Sequence, residues 1–435
     1  MSEQENTENH GFATKAIHAG EVHDPAGSHI NPIHQTSTFV FENSEAIESW
    51  GRGESEAYIY TRGNNPTMEV LAKKISALEG YGMDNADEVS AILFGSGMAA
   101  INAALLSICQ AGDHIITQQV LYGSTDHLLS DDFPKIDITH SRVPRLEPAG
   151  LEAELAKHPN TKAVYLESPA NPTMTIIDIA RTVEIAHAHG AKVVVDNTFA
   201  SPALQRPLSF GADAVVHSTT KYINGHGTVI GGVVVSADRQ WIEEGPWMKQ
   251  RYLGAAVPSP FDCWLTNIGL KTLSIRMRQH CANARAVAEF LDAHPKVKMT
   301  FWPGLESHQG HEVAARQMDD FGAMISIEIG SYEGAGQFMD GLRMCGLGVS
   351  LGNVDTLVQH PASMTHRLVS DEDKAKSGIT PGMVRLSIGI EEAADIIADM
   401  VRRGAPQSFI EVGSKIIIVR GGRPGENPTS AKSAH

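Results

Sequence analysis

From about residue 70 onward, short apolar runs alternate with stretches whose apolar side chains recur every three or four positions. Short runs bounded by turn formers predict buried strands, and the helical periodicity predicts amphipathic helices. Val70 to Glu79 reads as a helix, Val89 to Phe94 as a strand, and Met98 to Ile108 as an Ala-rich helix. The strand His114-Ile115-Ile116 follows, then a helix at Leu151 to Ala156 and the strand Ala163 to Leu166. A helix around Val183 to His189 precedes the strand Lys192 to Val195, and further strands are expected at Ala214 to Val216 and Gly231 to Val235. Strands alternating with helices predict an α/β fold, a mainly parallel sheet covered on both faces. Right-handed crossovers then align the strand C-termini along one edge, where ligands bind.

The flanks differ. Residues 1–70 are polar and turn-rich, which suits an N-terminal arm contacting a neighbouring subunit. Leu265 to Leu291 forms a long helical pattern after the Pro258-Ser259-Pro260 break. Beyond it, Ala323 to Ile329 and Met383 to Ile388 suggest strands of a smaller C-terminal α+β domain. The expected division is a large domain over 71–270, the smaller domain over 271–412, and a tail over 413–435. The Gly/Pro/Ser-rich end of that tail, Arg420 to His435, is expected to be disordered.

Composition narrows the function classes. The chain has 435 residues, 42% hydrophobic and 20% charged, which excludes disorder of the whole chain. The formal net charge of -16 opposes nucleic-acid binding, which needs clustered Lys and Arg to neutralise phosphates. No apolar run approaches the ~20 residues of a membrane span. The start, MSEQENTENH, lacks the basic and apolar segments of a signal peptide, so a cytoplasmic location and no membrane partner are expected. Cys109, Cys263, Cys281 and Cys345 show neither zinc-ribbon nor disulfide spacing.

Three segments carry candidate chemistry. Phe94-Gly95-Ser96-Gly97-Met98 joins a strand to a helix, where glycines admit an anion to backbone amides at a helix N-terminus. A plain tight turn is an equal reading of that segment alone, and its spacing fits neither a Walker loop nor a dinucleotide fingerprint. Val193-Val194-Val195-Asp196 ends a β-branched run in a carboxylate, which suits either a turn cap or a partner for a cationic ring nitrogen. Val215 to Lys221 runs a strand into His217-Ser218-Thr219-Thr220-Lys221; a lysine so placed, close to hydroxyls, can be desolvated and made nucleophilic, although taken alone it reads more simply as a surface lysine. Together they match the needs of pyridoxal phosphate (PLP): a Schiff-base lysine, an anion for the pyridinium nitrogen, and phosphate donors.

The same segments, with several others, resemble a known family, the PLP-dependent enzymes of Cys/Met metabolism. These comprise the methionine γ-lyases, cystathionine lyases and synthases, and homoserine-ester sulfhydrylases. The resemblance runs from about Thr14 to Met400. It is carried by Tyr60-Thr61-Arg62-Gly63-Asn64-Asn65-Pro66-Thr67, Ser96-Gly97-Met98, Leu121-Tyr122-Gly123, Glu167-Ser168-Pro169-Ala170-Asn171-Pro172 and Asp196-Asn197-Thr198. Ser218-Thr219-Thr220-Lys221-Tyr222, Gln359-His360-Pro361-Ala362-Ser363-Met364-Thr365-His366 and Arg385-Leu386-Ser387 continue it. It implies the fold of type I PLP-dependent enzymes, with a seven-stranded sheet, and a homotetramer built from two catalytic dimers. Lys221 would be the Schiff-base lysine and proton shuttle, Asp196 the pyridine partner, and Tyr122 the stacking ring and leaving-group acid. Ser96, Gly97, Met98, Ser218 and Thr220 would hold the cofactor phosphate. Tyr60 and Arg62 would reach the cofactor of a neighbouring subunit. Arg385, Ser350 and Asn171 would bind the substrate carboxylate, with Asn171 also near the cofactor; an Arg fork matches a carboxylate bidentately.

Within the family, Val349 and Ser124 point in different directions. Val349 precedes Ser350 where cystathionine enzymes usually carry Glu, and an apolar residue suits a short thioether tail. Ser124 follows Tyr122-Gly123 where methionine γ-lyases typically carry Cys. The expectation is γ-elimination of a sulfur amino acid, foremost L-methionine to methanethiol, 2-oxobutanoate and ammonia. γ-Replacement on a homoserine ester and cystathionine γ-lysis are the alternatives. Ser218-Thr219-Thr220-Lys221 also fits the SxxK of penicillin-binding proteins, but Lys271-Thr272-Leu273 lacks the Gly of their K-T-G triad. His308 and His311 form an HxxH with no third ligand evident, so no metal site is expected.

Overall fold

Valines at consecutive positions can be buried on both faces only inside a layered sheet, and here Val193 to Val195 and Val233 to Val235 are fully buried. The computed structural model describes residues 10–401 apart from 56, 255 and 368. The expected tail over 413–435 lies outside the described residues. Seven strands form the large sheet: β1 (Ser90–Phe94), β2 (His114–Gln118), β3 (Thr139–Val143), β4 (Thr161–Glu167), β5 (Lys192–Asp196), β6 (Ala214–His217) and β7 (Gly232–Ser236). Their order is β1-β7-β6-β5-β4-β2-β3, and only β7 runs against its neighbours. The C-termini of β1, β4, β5 and β6 therefore face one edge, bringing Gly95, Glu167, Asp196 and His217 to the same end of the sheet. Among the described residues no helix is long and apolar enough to cross a membrane.

The patterned segments form as expected, with boundaries moved by capping. The helix expected from Val70 begins at Pro66, because Asn65 accepts a hydrogen bond from Thr67 N and proline suits a first helical turn. The Gly97–Ile108 helix begins where the Ser96 hydroxyl accepts from Ala99 N. β3 has no counterpart among the sequence expectations. Its residues, Thr139-His140-Ser141-Arg142-Val143, are polar because it is an edge strand.

The long helical pattern over Leu265 to Leu291 is two helices, Pro260–Leu270 and Leu273–Asp292. Gly269 packs directly on the Asn224 backbone, leaving no room for a side chain. Arg276 bridges the break: it donates to Gly269 O at 2.9 Å, Thr272 Oγ1 at 3.0 Å and Tyr222 O at 2.8 Å. The guanidinium satisfies carbonyls at the interruption and ties the helices to the segment following Lys221.

The second sheet contains β8 (Met299–Phe301), β9 (Met324–Glu328), β10 (Gly346–Leu347), β11 (Leu357–Gln359) and β12 (Met383–Ser387), in the order β10-β11-β12-β9-β8. The two strands expected from the sequence are its buried centre, β9 and β12; the short outer strands carry too few residues for a pattern. One apolar cluster includes Leu93, Val215 and Val233 of the large sheet, Met277 and Ala284 of the long helix, and Ile325, Val384 and Leu386 of the small sheet. The two sheets thus share a core, which fixes their relative placement.

Near the N-terminus the Phe12–His18 helix packs on the Pro66–Glu79 helix, while most of the following stretch to Tyr60 is exposed. Glu21 closes this contact, its carboxylate 2.9 Å from Lys74 Nζ and 2.6 Å from Lys271 Nζ. Burial alone would raise the Glu21 pKa, but hydrogen bonds from Lys271 and Lys74 outweigh it and hold the carboxyl below 4.5. A depressed carboxyl pKa gives stability that is present above the unfolded value and lost as pH falls through the folded one. Glu21→Gln is expected to cost about 2 kcal/mol in denaturant unfolding at pH 7, because Lys74 is fully buried. The difference from wild type should shrink as the pH drops below about 4.5.

Candidate active site

A cavity of about 280 Å³ opens at the shared end of the strands, between the large sheet and the C-terminal domain. Ser96, Gly97 and Met98 enter it from the loop after β1, Asp196 from the end of β5, and Ser218, Thr220 and Lys221 from the turn after β6. Tyr122 and Asn171 line it from the loops after β2 and β4, and Val349, Ser350 and Arg385 from the C-terminal domain. The structure therefore brings together twelve of the fifteen residues singled out in the sequence.

The other three lie elsewhere. Tyr60 is 48% exposed, and Arg62 donates to Arg251 O at 3.1 Å, away from this chain's own cavity. Ser124 is exposed on the short Gly123–His127 helix and does not line the cavity. The histidines of the HxxH are used locally: His308 Nδ1 accepts from Gly310 N at 3.1 Å, and His311 Nδ1 lies 2.8 Å from Pro303 O.

Lys221 Nζ donates to Ser350 Oγ at 3.0 Å, and burial, with Arg385 nearby, lowers its pKa to about 8. Arg385 donates to Asn171 Oδ1 at 2.7 Å and to Ser350 O at 2.8 Å, and burial lowers its pKa to about 10. Ser350 meets both cations from a backbone with φ of 106°, a strained region for a residue with a side chain. Asp196 accepts from Thr198 N at 2.9 Å and from the Tyr165 hydroxyl at 3.3 Å. Its pKa is raised by burial, partly offset by Thr198 and by the charge of His217.

At the anion end, a Cβ on Gly97 would lie 2.8 Å from Ser218 Cβ, so only glycine allows this close approach of helix and turn. Ser96 uses its oxygen as the helix cap. The Thr220 hydroxyl donates to Gly231 O at 3.3 Å and accepts from Gly231 N at 2.9 Å, which fixes its rotamer.

Residues 13–403 match the family described as Cys/Met metabolism PLP-dependent enzyme. The chain belongs to this family. It is 44% identical over 398 residues to an L-methionine γ-lyase of Fusobacterium nucleatum subsp. polymorphum, covering 91% of this chain and 98% of that one. It is 40% identical over 392 residues to an O-succinylhomoserine sulfhydrylase of Pseudomonas aeruginosa, covering 90% and 94%. Its fold superposes on cystathionine γ-synthase from Xanthomonas oryzae pv. oryzae in complex with cystathionine, with a TM-score of 0.82, 42% identity and coverage of 90% and 96%. The protein is a PLP-dependent carbon–sulfur lyase of this family.

The residues present fit PLP. A helix N-terminus with hydroxyls suits its phosphate, a partly buried Asp without a salt-bridge partner among the described residues suits its pyridinium, and a desolvated Lys suits its aldehyde. The residues not singled out individually include Thr198, Phe199, Thr365 and Glu167. The signal that could have found Glu167 is that β4 ends in a carboxylate as β5 does; in the structure the two are register partners, Glu167↔Asp196. Burial, then the charge of Asp196, raises the Glu167 pKa well above 4.5, although the Tyr122 and Asn171 N–H groups pull the other way.

PLP attachment to the apoenzyme, followed by visible absorbance, is expected to rise with pH around a midpoint near 8, against 10.5 for an ordinary lysine. Arg385→Met should move that midpoint upward, because removing a nearby positive charge favours the ammonium form. An unchanged midpoint in the variant would contradict the electrostatic link.

Proposed function

We propose that the enzyme eliminates the γ-substituent of a sulfur amino acid, foremost L-methionine, which with water yields methanethiol, 2-oxobutanoate and ammonia. The observation that carries this reading is the apolar mouth of the cavity, where Val349 is 56% exposed and Ile230 65% exposed. A short thioether tail suits such a rim, whereas a second amino-acid head would need charged partners. The identity to L-methionine γ-lyases supports it.

In this mechanism Arg385, held by Asn171 and the Ser350 carbonyl, receives the substrate carboxylate. PLP, when bound, supplies the electron sink that makes loss of the Cα proton feasible. Ser96, Gly97, Met98, Ser218 and Thr220 would hold its phosphate, and Asp196 its ring nitrogen. Lys221 Nζ, steered by Ser350 Oγ, takes the Cα proton as a base whose pKa near 8 suits neutral conditions. After a second proton leaves Cβ, the Tyr122 hydroxyl protonates the departing sulfur. A thiol entering in place of water turns the outcome into γ-replacement. Ser124, in place of Cys after Gly123, together with the sulfhydrylase and cystathionine γ-synthase relatives, supports that second reading.

We also infer a cytoplasmic homotetramer of two catalytic dimers, with residues 1–70 as an arm. The exposed Tyr60, and Arg62 set apart from its own cavity, support the sharing of each site between two subunits. The four buried free thiols suit a reducing compartment.

Methionine, cystathionine, and a homoserine ester with sulfide, supplied separately, discriminate the activities. Methanethiol and 2-oxobutanoate from methionine are expected; homocysteine from the ester alone would favour the sulfhydrylase. Lys221→Ala should lower kcat/KM by roughly 1000-fold or more.

Arg62→Ala should also be impaired, and mixing it with Lys221→Ala subunits should restore about one quarter of the active sites. Half of randomly paired dimers are hybrids, each with one intact site. No recovery on mixing would contradict shared sites.

A further inference from the structure

The Tyr122 phenol sits on a loop, yet the mechanism requires it to meet the leaving group accurately. The main chain at Tyr122 is held at the end of β4: its N–H donates to the Glu167 carboxyl, 2.8 Å from Oε1 and 3.1 Å from Oε2. Glu167 is itself fixed, because Gln118 accepts from Glu167 N at 3.0 Å and donates to Glu167 O at 3.0 Å. On the other side, His366 Nε2 lies 3.0 Å from Leu121 O, and Gly123 is pressed against Thr365 O with no room for a side chain. The whole Leu121 to Gly123 segment is thus clamped between β4 and the C-terminal domain.

We propose that Glu167 is a positioning residue for the leaving-group acid, acting through the Tyr122 main chain by its length rather than by its charge. This rests on the proposed role of Tyr122. Glu167 is buried and is the direct register neighbour of the partly buried Asp196, and two carboxylates so placed do not both carry charge readily. Asp196 has the Thr198 donors and the nearby His217, so it is the better placed to stay ionised. A neutral Glu167 still accepts the Tyr122 N–H through its carbonyl oxygen. Glutamine reproduces that acceptor at the same reach; aspartate withdraws it by one methylene.

The experiment compares Glu167→Gln and Glu167→Asp holoenzymes with wild type, on a thioether substrate and on the homoserine ester. A thiolate leaves poorly and needs the acid, whereas the carboxylate of the ester leaves with little help. E167Q is expected to stay within about threefold of wild type on both. E167D should lose about tenfold or more in kcat on the thioether and far less on the ester. In a Tyr122→Phe background E167D should add little, because the group it positions is gone. E167D, but not E167Q, should also release PLP faster than wild type, since the displaced ring stacks less well. Equal losses on both substrates, multiplicative losses with Y122F, or an E167Q as impaired as E167D would each overturn the assignment. Should wild type accept only one of the two substrates, the double-variant cycle and the PLP release rate decide alone. The wild-type products test the proposed function, while only ratios of variant to wild type test Glu167.

Discussion

Four ionisable side chains surround one cavity, Arg385 and Glu167 buried, Lys221 and Asp196 partly buried, and among the described residues none has a salt bridge of its own. Each is held by hydroxyls, amides or main-chain groups: Ser350 for Lys221, Asn171 and Ser350 O for Arg385, Thr198 and Tyr165 for Asp196, and Tyr122 for Glu167. Burial without counter-ions disfavours every charged form, which is why the bases shift down and the acids shift up. The unpaired charges suit the ligands of the proposed reaction: a carboxylate would answer Arg385, a cationic ring nitrogen would answer Asp196, and a carbonyl would condense with the neutral amine of Lys221.

Keeping such groups buried requires a scaffold that cannot relax around them. The strand ends supply two carboxylates in register, and the apolar cluster running through both sheets prevents the C-terminal wall from drifting away. Arg276 adds a polar brace at the interruption between the two long helices, reaching Tyr222 beside the lysine. The net charge of -16 belongs to the solvated surface; inside the cavity, local cations set the preference for anionic groups.

The parallel sheet was legible because its inner strands are β-branched and buried on both faces, as in Val193 to Val195. Lys221 and Asp196 were legible as candidates because each follows an apolar strand with a charged group, whereas Arg385 was reached through the family resemblance. β3 was not, since an edge strand exposes side chains that look like loop residues. The helix break at Lys271 and Thr272 depends on the contact of Gly269 with Asn224, some 45 residues away, which no local pattern encodes. Glu167 lay inside a recognised segment, but its partner is the main-chain N–H of Tyr122, and backbone donors leave no signature in side-chain identity. Tyr60 and Arg62 came from family resemblance alone, and a single chain leaves them at its surface.

Ser350 joins the lysine and the arginine through two different parts of one residue: the hydroxyl meets Lys221 Nζ and the carbonyl meets Arg385. An α-amino acid presents its amine and carboxylate one carbon apart, and a site of the proposed kind would have to match that short, fixed span. Because both reference points hang on one residue, a small displacement of the loop carries them together and leaves their separation unchanged. In the proposed mechanism Ser350 would thus serve as a gauge block for the amino-acid head, leaving differences among substrates to be sensed farther out, along the side chain.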